Sequence, residues 1–340
     1  MLWTPRDPDT HASTLARWTA LTMLPMRLVV GWIFVAAAHR RLILAPAKHD
    51  MASPAWLGHK INTFMPHASG PFQPMLELFS REPELMNAFT WVFTGTELLV
   101  GVALLLGVAS RLTGIVTLSL GVGLMHTSGW LGPTCLSEWH TASLLVLTSV
   151  MLTVQGSGSL SLDAWLGRRF PTLHRNRWWQ RATRPADPSA PPSSKVIVGL
   201  ATAVLLYVAG MNQLLHGGVW GPLHNDSVRP HLELEALAVG GGTASFSVYR
   251  DAGPETTGAF VVEARLLDAE RNVVERWRVD DFAAATFENV YVNAVHVGAH
   301  AMVVPLGGKA IVRLPSTAPA GDYSLELEEV GGLVFSVGPT

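Results

Sequence analysis

The sequence predicts a membrane protein of mixed class: a four-helix transmembrane bundle, a fifth transmembrane helix and a C-terminal extracytoplasmic antiparallel β-sandwich. Three observations carry that prediction. Of 340 residues, 49% are hydrophobic and only 15% are charged, against roughly 25% charged in an ordinary soluble domain. The apolar residues gather into five runs close to the ~20 residues that cross a bilayer. From about residue 230 onward the hydrophobic pattern changes to a period of two, the signature of strands with one face buried. Charge divides the chain as well. Residues 1–216 carry 16 basic and 10 acidic side chains, whereas 217–340 carry 8 basic and 16 acidic ones.

The five runs are Thr19–Ala38, Ala88–Val108, Leu112–Gly129, Trp139–Val154 and Val196–Leu215. They are apolar on all sides rather than striped, as lipid-embedded helices are. The first is read as a retained span and not a signal peptide, because it carries Arg27 and exceeds the ~7–15 residues of a signal core. Orientation follows from the loops. Segment 155–195 holds seven Lys or Arg against two acids, while 130–138 holds no Lys or Arg. The positive-inside rule therefore puts 155–195 and the turn at Arg111 in the cytoplasm. Five spans then leave the N-terminus inside and everything after Leu215 outside. The loop 39–87 dissents mildly, with five basic residues and four acids.

Four regions result. Residues 1–165 form a four-span membrane domain, and 166–195 a basic, Pro-rich cytoplasmic linker. Residues 196–216 form the fifth helix, and 217–340 the β-domain. Alternation predicts strands within 231–239, 244–249, 258–266, 273–279, 286–292, 309–314 and 323–330, with a last apolar run at 333–337 after the Gly331-Gly332 turn. Six to eight short strands separated by Gly and Pro turns suggest a sandwich.

Several chemistries are excluded. Cys135 is the single cysteine, so there is no intramolecular disulfide, thiolate cluster or all-cysteine zinc site. No nucleotide-binding glycine motif and no haem-attachment motif is present, so no bound cofactor is evident. The one basic run lies between two apolar segments, which explains it without nucleic acid.

Ionisable groups within spans mark candidate sites, because each costs at least ~2.5–3.5 kcal/mol in hydrocarbon. Arg27 and Glu97 lie at similar depth on antiparallel spans, so an intramembrane ion pair is expected, with Glu97 as a proton-transferring group beside a quinone. A buried pair that merely locks two helices together is the plainer reading. A second constellation falls at the outer surface: His39, Arg40 and Arg41 end span one, His126 ends span three, and Cys135, Glu138 and His140 follow. An arginine pair binds an oxyanion through charge-assisted hydrogen bonds, and a thiol near arginine and imidazolium becomes nucleophilic. Cys135 and His140 are therefore the catalytic candidates, while Arg40, Arg41, His126 and His39 are the substrate-binding ones. Against this stand interfacial anchoring by Trp130 and Trp139 and Cys135 as a small apolar filler. A metal set of His39, His126 and His140 lacks an acidic partner at helical spacing, so no metal is assigned. The amphipathic segment 54–65 is expected on the membrane surface. His296 and His300 flank a loop without a recognisable site.

The first ~165 residues resemble DoxD, the four-span subunit of thiosulfate:quinone oxidoreductase and a relative of the DoxX membrane proteins. The resemblance rests on Arg27, Gly31-Trp-Ile-Phe34, Trp56-Leu-Gly58, the run Glu97–Gly107, Gly132-Pro-Thr-Cys-Leu-Ser-Glu-Trp139 and Gly158-Ser-Leu-Ser-Leu-Asp163. The remainder is similar to DoxA, with Ala320-Gly-Asp-Tyr-Ser-Leu325 near its end. One departure is Ala38-His-Arg-Arg41, where the DoxX-like pattern has Gly-x-x-Lys. The resemblance implies oxidation of two thiosulfates to tetrathionate, with electrons passed to a membrane quinone. It places the chain in a bacterial cytoplasmic membrane with a periplasmic C-terminal domain. The implied partners are thiosulfate, quinone and the bilayer, with a homo-oligomer left open. The competing expectation is a non-catalytic membrane scaffold whose β-domain binds a redox partner.

Overall fold

A computed structural model describes residues 8–132, 138–183, 193–255 and 258–338, without the side chains of 8–17 and 19. The N-terminal region is helical and the C-terminal region is antiparallel β in two sheets. The chain divides into two compact units that do not follow chain order: 1–49 with 89–125 and 139–222, and 50–88 with 126–138 and 223–340.

In the first unit, α1 (Pro8–His39) continues as a short π-helical stretch over Arg40–Leu44. Helices α4 (Pro83–Leu106), α5 (Ser110–Ser128) and α6 (Glu138–Gln155) follow the smaller α2 (Leu57–Asn62) and α3 (Phe72–Arg81). Segments Ala20–Leu44, Pro83–Leu106 and Ser194–Leu215 are long and apolar enough to cross a membrane. Shorter and richer in Gly, Ser and Thr, α5 and α6 share a buried core with α1 and α4, formed by Met23, Phe34, Val100, Leu104, Leu145 and Leu152. Gly31 and Gly101 set how α1 meets α4. A Cβ on either would stand 2.9 Å from the other's carbonyl oxygen, so only hydrogen fits on both sides of the crossing, as in small-residue membrane contacts.

Near the α4–α5 turn, Asp163 accepts from the amides of Ala109 (2.8 Å) and Ser110 (2.9 Å) and from the Ser110 hydroxyl (2.6 Å). These are orphan donors of the first turn of α5, satisfied by a carboxylate at the helix's positive end. Asp163 lies on α7 (Leu162–Arg169), itself capped by the Ser161 hydroxyl. The short α8 (Arg177–Thr183) follows. Helix α9 (Ser194–Leu215) buries only Met211 and Leu215, leaving an almost wholly exposed apolar surface. For a helix this hydrophobic, lipid is the natural environment.

Among the described residues the second unit holds ten strands: β1 (His231–Gly240), β2 (Thr243–Ala252), β3 (Ala259–Leu267), β4 (Val273–Arg278), β5 (Thr286–Asn289), β6 (His296–Val297), β7 (Met302–Val304), β8 (Lys309–Pro315), β9 (Ser324–Glu329) and β10 (Val334–Val337). A short helix, α10 (Val279–Phe282), lies between β4 and β5. One sheet runs β1-β2-β8-β5; the other runs β10-β9-β3-β7-β6, with β4 also paired to β3. Their alternate residues meet in one core that includes Leu232, Phe246 and Val312 of the first sheet with Val261, Leu266, Met302 and Leu327 of the second. The predicted runs fall on β1–β5 and β8–β10. Strands β6 and β7 were not legible, since two or three residues are too few to show a period.

Residues 50–88 pack into this same unit. Asn62 donates to the Gly307 carbonyl (2.8 Å), Asn293 donates to the His59 carbonyl (3.1 Å), and the Val292 amide donates to the Ser80 carbonyl (3.0 Å). The segment 54–65, expected on a membrane surface, instead buries Trp56, Ile61 and Met65 within the protein. Amphipathicity signals that an apolar face is covered, not by what.

Candidate functional site

Among the buried charges of the first unit, Arg41 and Glu97 form an ion pair; Arg41 also donates to Thr94 Oγ1 (3.1 Å) and lies over the Phe93 ring. Both are under a tenth exposed. On α4, Thr90, Thr94 and Glu97 follow at helical spacing and share one face, and both threonines are fully buried. Beyond them His49 stacks on Trp91 with ring centroids 4.0 Å apart, its Nδ1 3.4 Å from Thr90 Oγ1. Burial, and then the Arg41 charge, hold the His49 imidazole below its ordinary pKa. A polar stripe thus runs along α4 from Glu97 toward the N-terminal end of the helix. Its signal, Thr90-x-x-x-Thr94-x-x-Glu97, was present in the sequence.

The expected partner of Glu97 was Arg27, and this pair does not form. Arg27 is buried elsewhere, donating to the carbonyls of Ser157 (3.0 Å) and Leu160 (2.8 Å). Gly107, at positive φ, lies beneath its guanidinium, where a Cβ would stand 2.5 Å from Nη1. The crossing of Gly31 on Gly101 explains the choice. It puts Glu97 near the level of Val35, about 12 Å along the helix from Arg27 at ~1.5 Å per residue. Side chains also lean toward the N-terminus of their own helix. On antiparallel helices, Arg41 and Glu97 therefore lean toward each other, while Arg27 leans away.

Arg40 and Arg41 differ in burial. Consecutive helical residues face different directions, so Arg41 is buried whereas His39 and Arg40 are exposed. His39 and Arg40 line a cleft of about 670 Å³ with Trp32, Ile33, Val35, Ala36, Ala37 and Leu44. An apolar slot with two polar groups suits a flat, mostly apolar molecule carrying oxygen acceptors. His140 is exposed and stacks on Trp139, with centroids 4.2 Å apart.

His126 belongs to the second unit. Its Nδ1 is 2.8 Å from Ser69 Oγ, and its ring stacks on Phe72. Cys135 lies outside the described residues. Lys60, which sequence reasoning passed over, pairs with Glu255 and stands 3.7 Å from Glu138. Burial pushes the Glu138 carboxyl above its ordinary range; Lys60 opposes the shift and Glu255 adds to it.

A helical region with apolar spans and a buried ion pair, joined to a two-sheet β region, defines a membrane protein with an appended β-domain. Residues 22–183 match the family described as TQO small subunit DoxD, and residues 215–337 match TQO small subunit DoxA. The chain belongs to these two families, carrying both on one polypeptide, and so to the subunits of thiosulfate:quinone oxidoreduction.

Proposed function

We propose that the chain oxidises thiosulfate at the outer surface of a bacterial cytoplasmic membrane and passes the electrons to membrane quinone. Two thiosulfates, one quinone and two protons give one tetrathionate and one quinol. The observation that carries this reading is the buried Arg41–Glu97 pair with Thr94, in the part of the chain that matches DoxD. A charge pair inside a span is costly unless it has work to do.

Within this reading the five spans fall on α1, α4, α5, α6 from Trp139 onward, and α9, and the two sheets form a periplasmic sandwich. That residues 50–88, 126–138 and 223–340 fold as one unit supports the topology, because alternate connections of a five-span chain share one side. The quinone enters the cleft beside Trp32 and Leu44, whose apolar walls suit its ring and tail. His39 and Arg40 offer hydrogen bonds to its oxygens. Glu97 holds and moves protons, each transfer coupled to the release of Arg41. Arg40 and His140, exposed basic groups of the first unit, are offered to the substrate dianion, and Cys135 is the proposed nucleophile.

Purified full-length protein in detergent, given thiosulfate and a soluble quinone analogue, is expected to form tetrathionate and quinol one for one. Absence of turnover, with activity restored only by a separate redox protein captured by the β-domain, would overturn this reading in favour of a scaffold.

A further inference from the structure

We propose that Arg111, Arg177 and Arg181 form a binding site for the phosphate group of an anionic phospholipid. Arg111 lies in the first turn of α5, and Arg177 and Arg181 lie one turn apart on α8. With Gln180, these three line a cleft of about 200 Å³ that contains no acidic side chain among the described residues. Like charges at this helical spacing repel each other, and the third guanidinium adds to the repulsion. The Nε of Arg111 is buried and has no hydrogen-bond partner among the described residues. An anion in the cleft would relieve that repulsion, and guanidinium groups match the paired oxygens of a phosphate.

Among the described residues, the neighbouring sequence offers no free carboxylate as a substitute. No Asp or Glu occurs between Glu97 and Glu138, or between Asp163 and Asp187. Asp163 itself is buried and committed to the amides of Ala109 and Ser110. That same carboxylate occupies the amino end of α5, so the ligand is held by the arginines and not by the helix terminus.

A lipid is favoured over a soluble anion by what surrounds the cleft. Trp165, Phe170 and Trp178 are all exposed, Trp178 by 75%. Arg181 lies over the Trp178 ring and Arg169 over Phe170. Exposed aromatics interleaved with arginine are the composition of a segment seated at the headgroup level of a bilayer. Clustered basic residues beside a span attract anionic headgroups additively. The proposal stands apart from the redox reading and needs none of its residues.

The test uses the full-length protein in uncharged detergent, with bound lipid read by native mass spectrometry during titration with phosphatidylglycerol, phosphatidylcholine or inorganic phosphate. One phosphatidylglycerol per chain is expected to bind at least about tenfold more tightly than phosphatidylcholine. Arg177→Gln with Arg181→Gln, both on exposed positions, should abolish that preference. Arg169→Gln with Arg175→Gln, which removes the same charge from the same segment, should leave it. Equal binding of both lipids, or equal loss in the two double variants, would overturn the site. Displacement of phosphatidylglycerol by inorganic phosphate at matching concentration would make it a soluble-anion site and overturn the lipid assignment.

Discussion

Gly31 of α1 and Gly101 of α4 stand face to face, each where a Cβ would come within 2.9 Å of the other's carbonyl oxygen. This contact fixes the register of the two helices, and through it the partner of Glu97.

Enlarging either glycine should force the helices apart. Gly101→Val is expected to cost at least the ~1–3 kcal/mol typical of overpacking, because two of the three nearest atoms, the Gly31 carbonyl oxygen and the Val35 nitrogen, are backbone. Thermal unfolding in detergent checks this: a melting temperature equal to that of the parent would mean that the crossing is not tight.

The pairing makes a second prediction. Removing one member of a buried pair strands the other charge and costs ~3–5 kcal/mol. Arg41→Met and Glu97→Leu should each destabilise, and the double variant should recover much of the loss. Arg27→Met combined with Glu97→Leu should be additive within ~0.5 kcal/mol, as for independent sites. A double-mutant cycle that couples Glu97 to Arg27 instead would refute the register.

Glu138 gives a pH dependence. Its carboxyl is pushed above the ordinary value chiefly by burial, with Lys60 opposing. The folded state therefore holds a proton that the unfolded chain has already lost. Stability should fall as pH rises from the ordinary carboxylate value through the raised one. Glu138→Gln should flatten that decline, and Lys60→Met should steepen it. Melting temperatures from pH 4 to 8 would decide, and parallel curves for all three proteins would count against this assignment.

Cys135 supplies the sharpest functional prediction within the proposed reaction. Its thiolate and the outer sulfur of one thiosulfate form a mixed disulfide as quinone takes two electrons and two protons. A second thiosulfate then attacks that outer sulfur, releasing tetrathionate and restoring the thiolate. Cys135→Ser should be inserted, folded and inactive, and thiosulfate should protect the parent from thiol reagents. Normal turnover by the serine variant would remove Cys135 from the mechanism.

Much of the architecture was legible without coordinates because hydropathy and period are local. The run Ala88–Val108 is apolar whatever it touches, and the alternation at 244–249 needs only its own residues to declare a buried face. The basic character of 155–195 is likewise a property of composition. Partners were not legible. Arg27 and Arg41 are equally charged, one inside an apolar run and the other just beyond its end; the Gly31–Gly101 contact and the lean of side chains along antiparallel helices chose Arg41 for Glu97. Arg40 and Arg41 differ by one position in sequence and by burial in the fold, because a helix turns neighbours to different sides. The segment 54–65 declared an apolar face, and only tertiary structure decided that protein covers it. Sequence determined which surfaces must be hidden and which charges are costly; register, set by backbone atoms in close contact, decided what meets them.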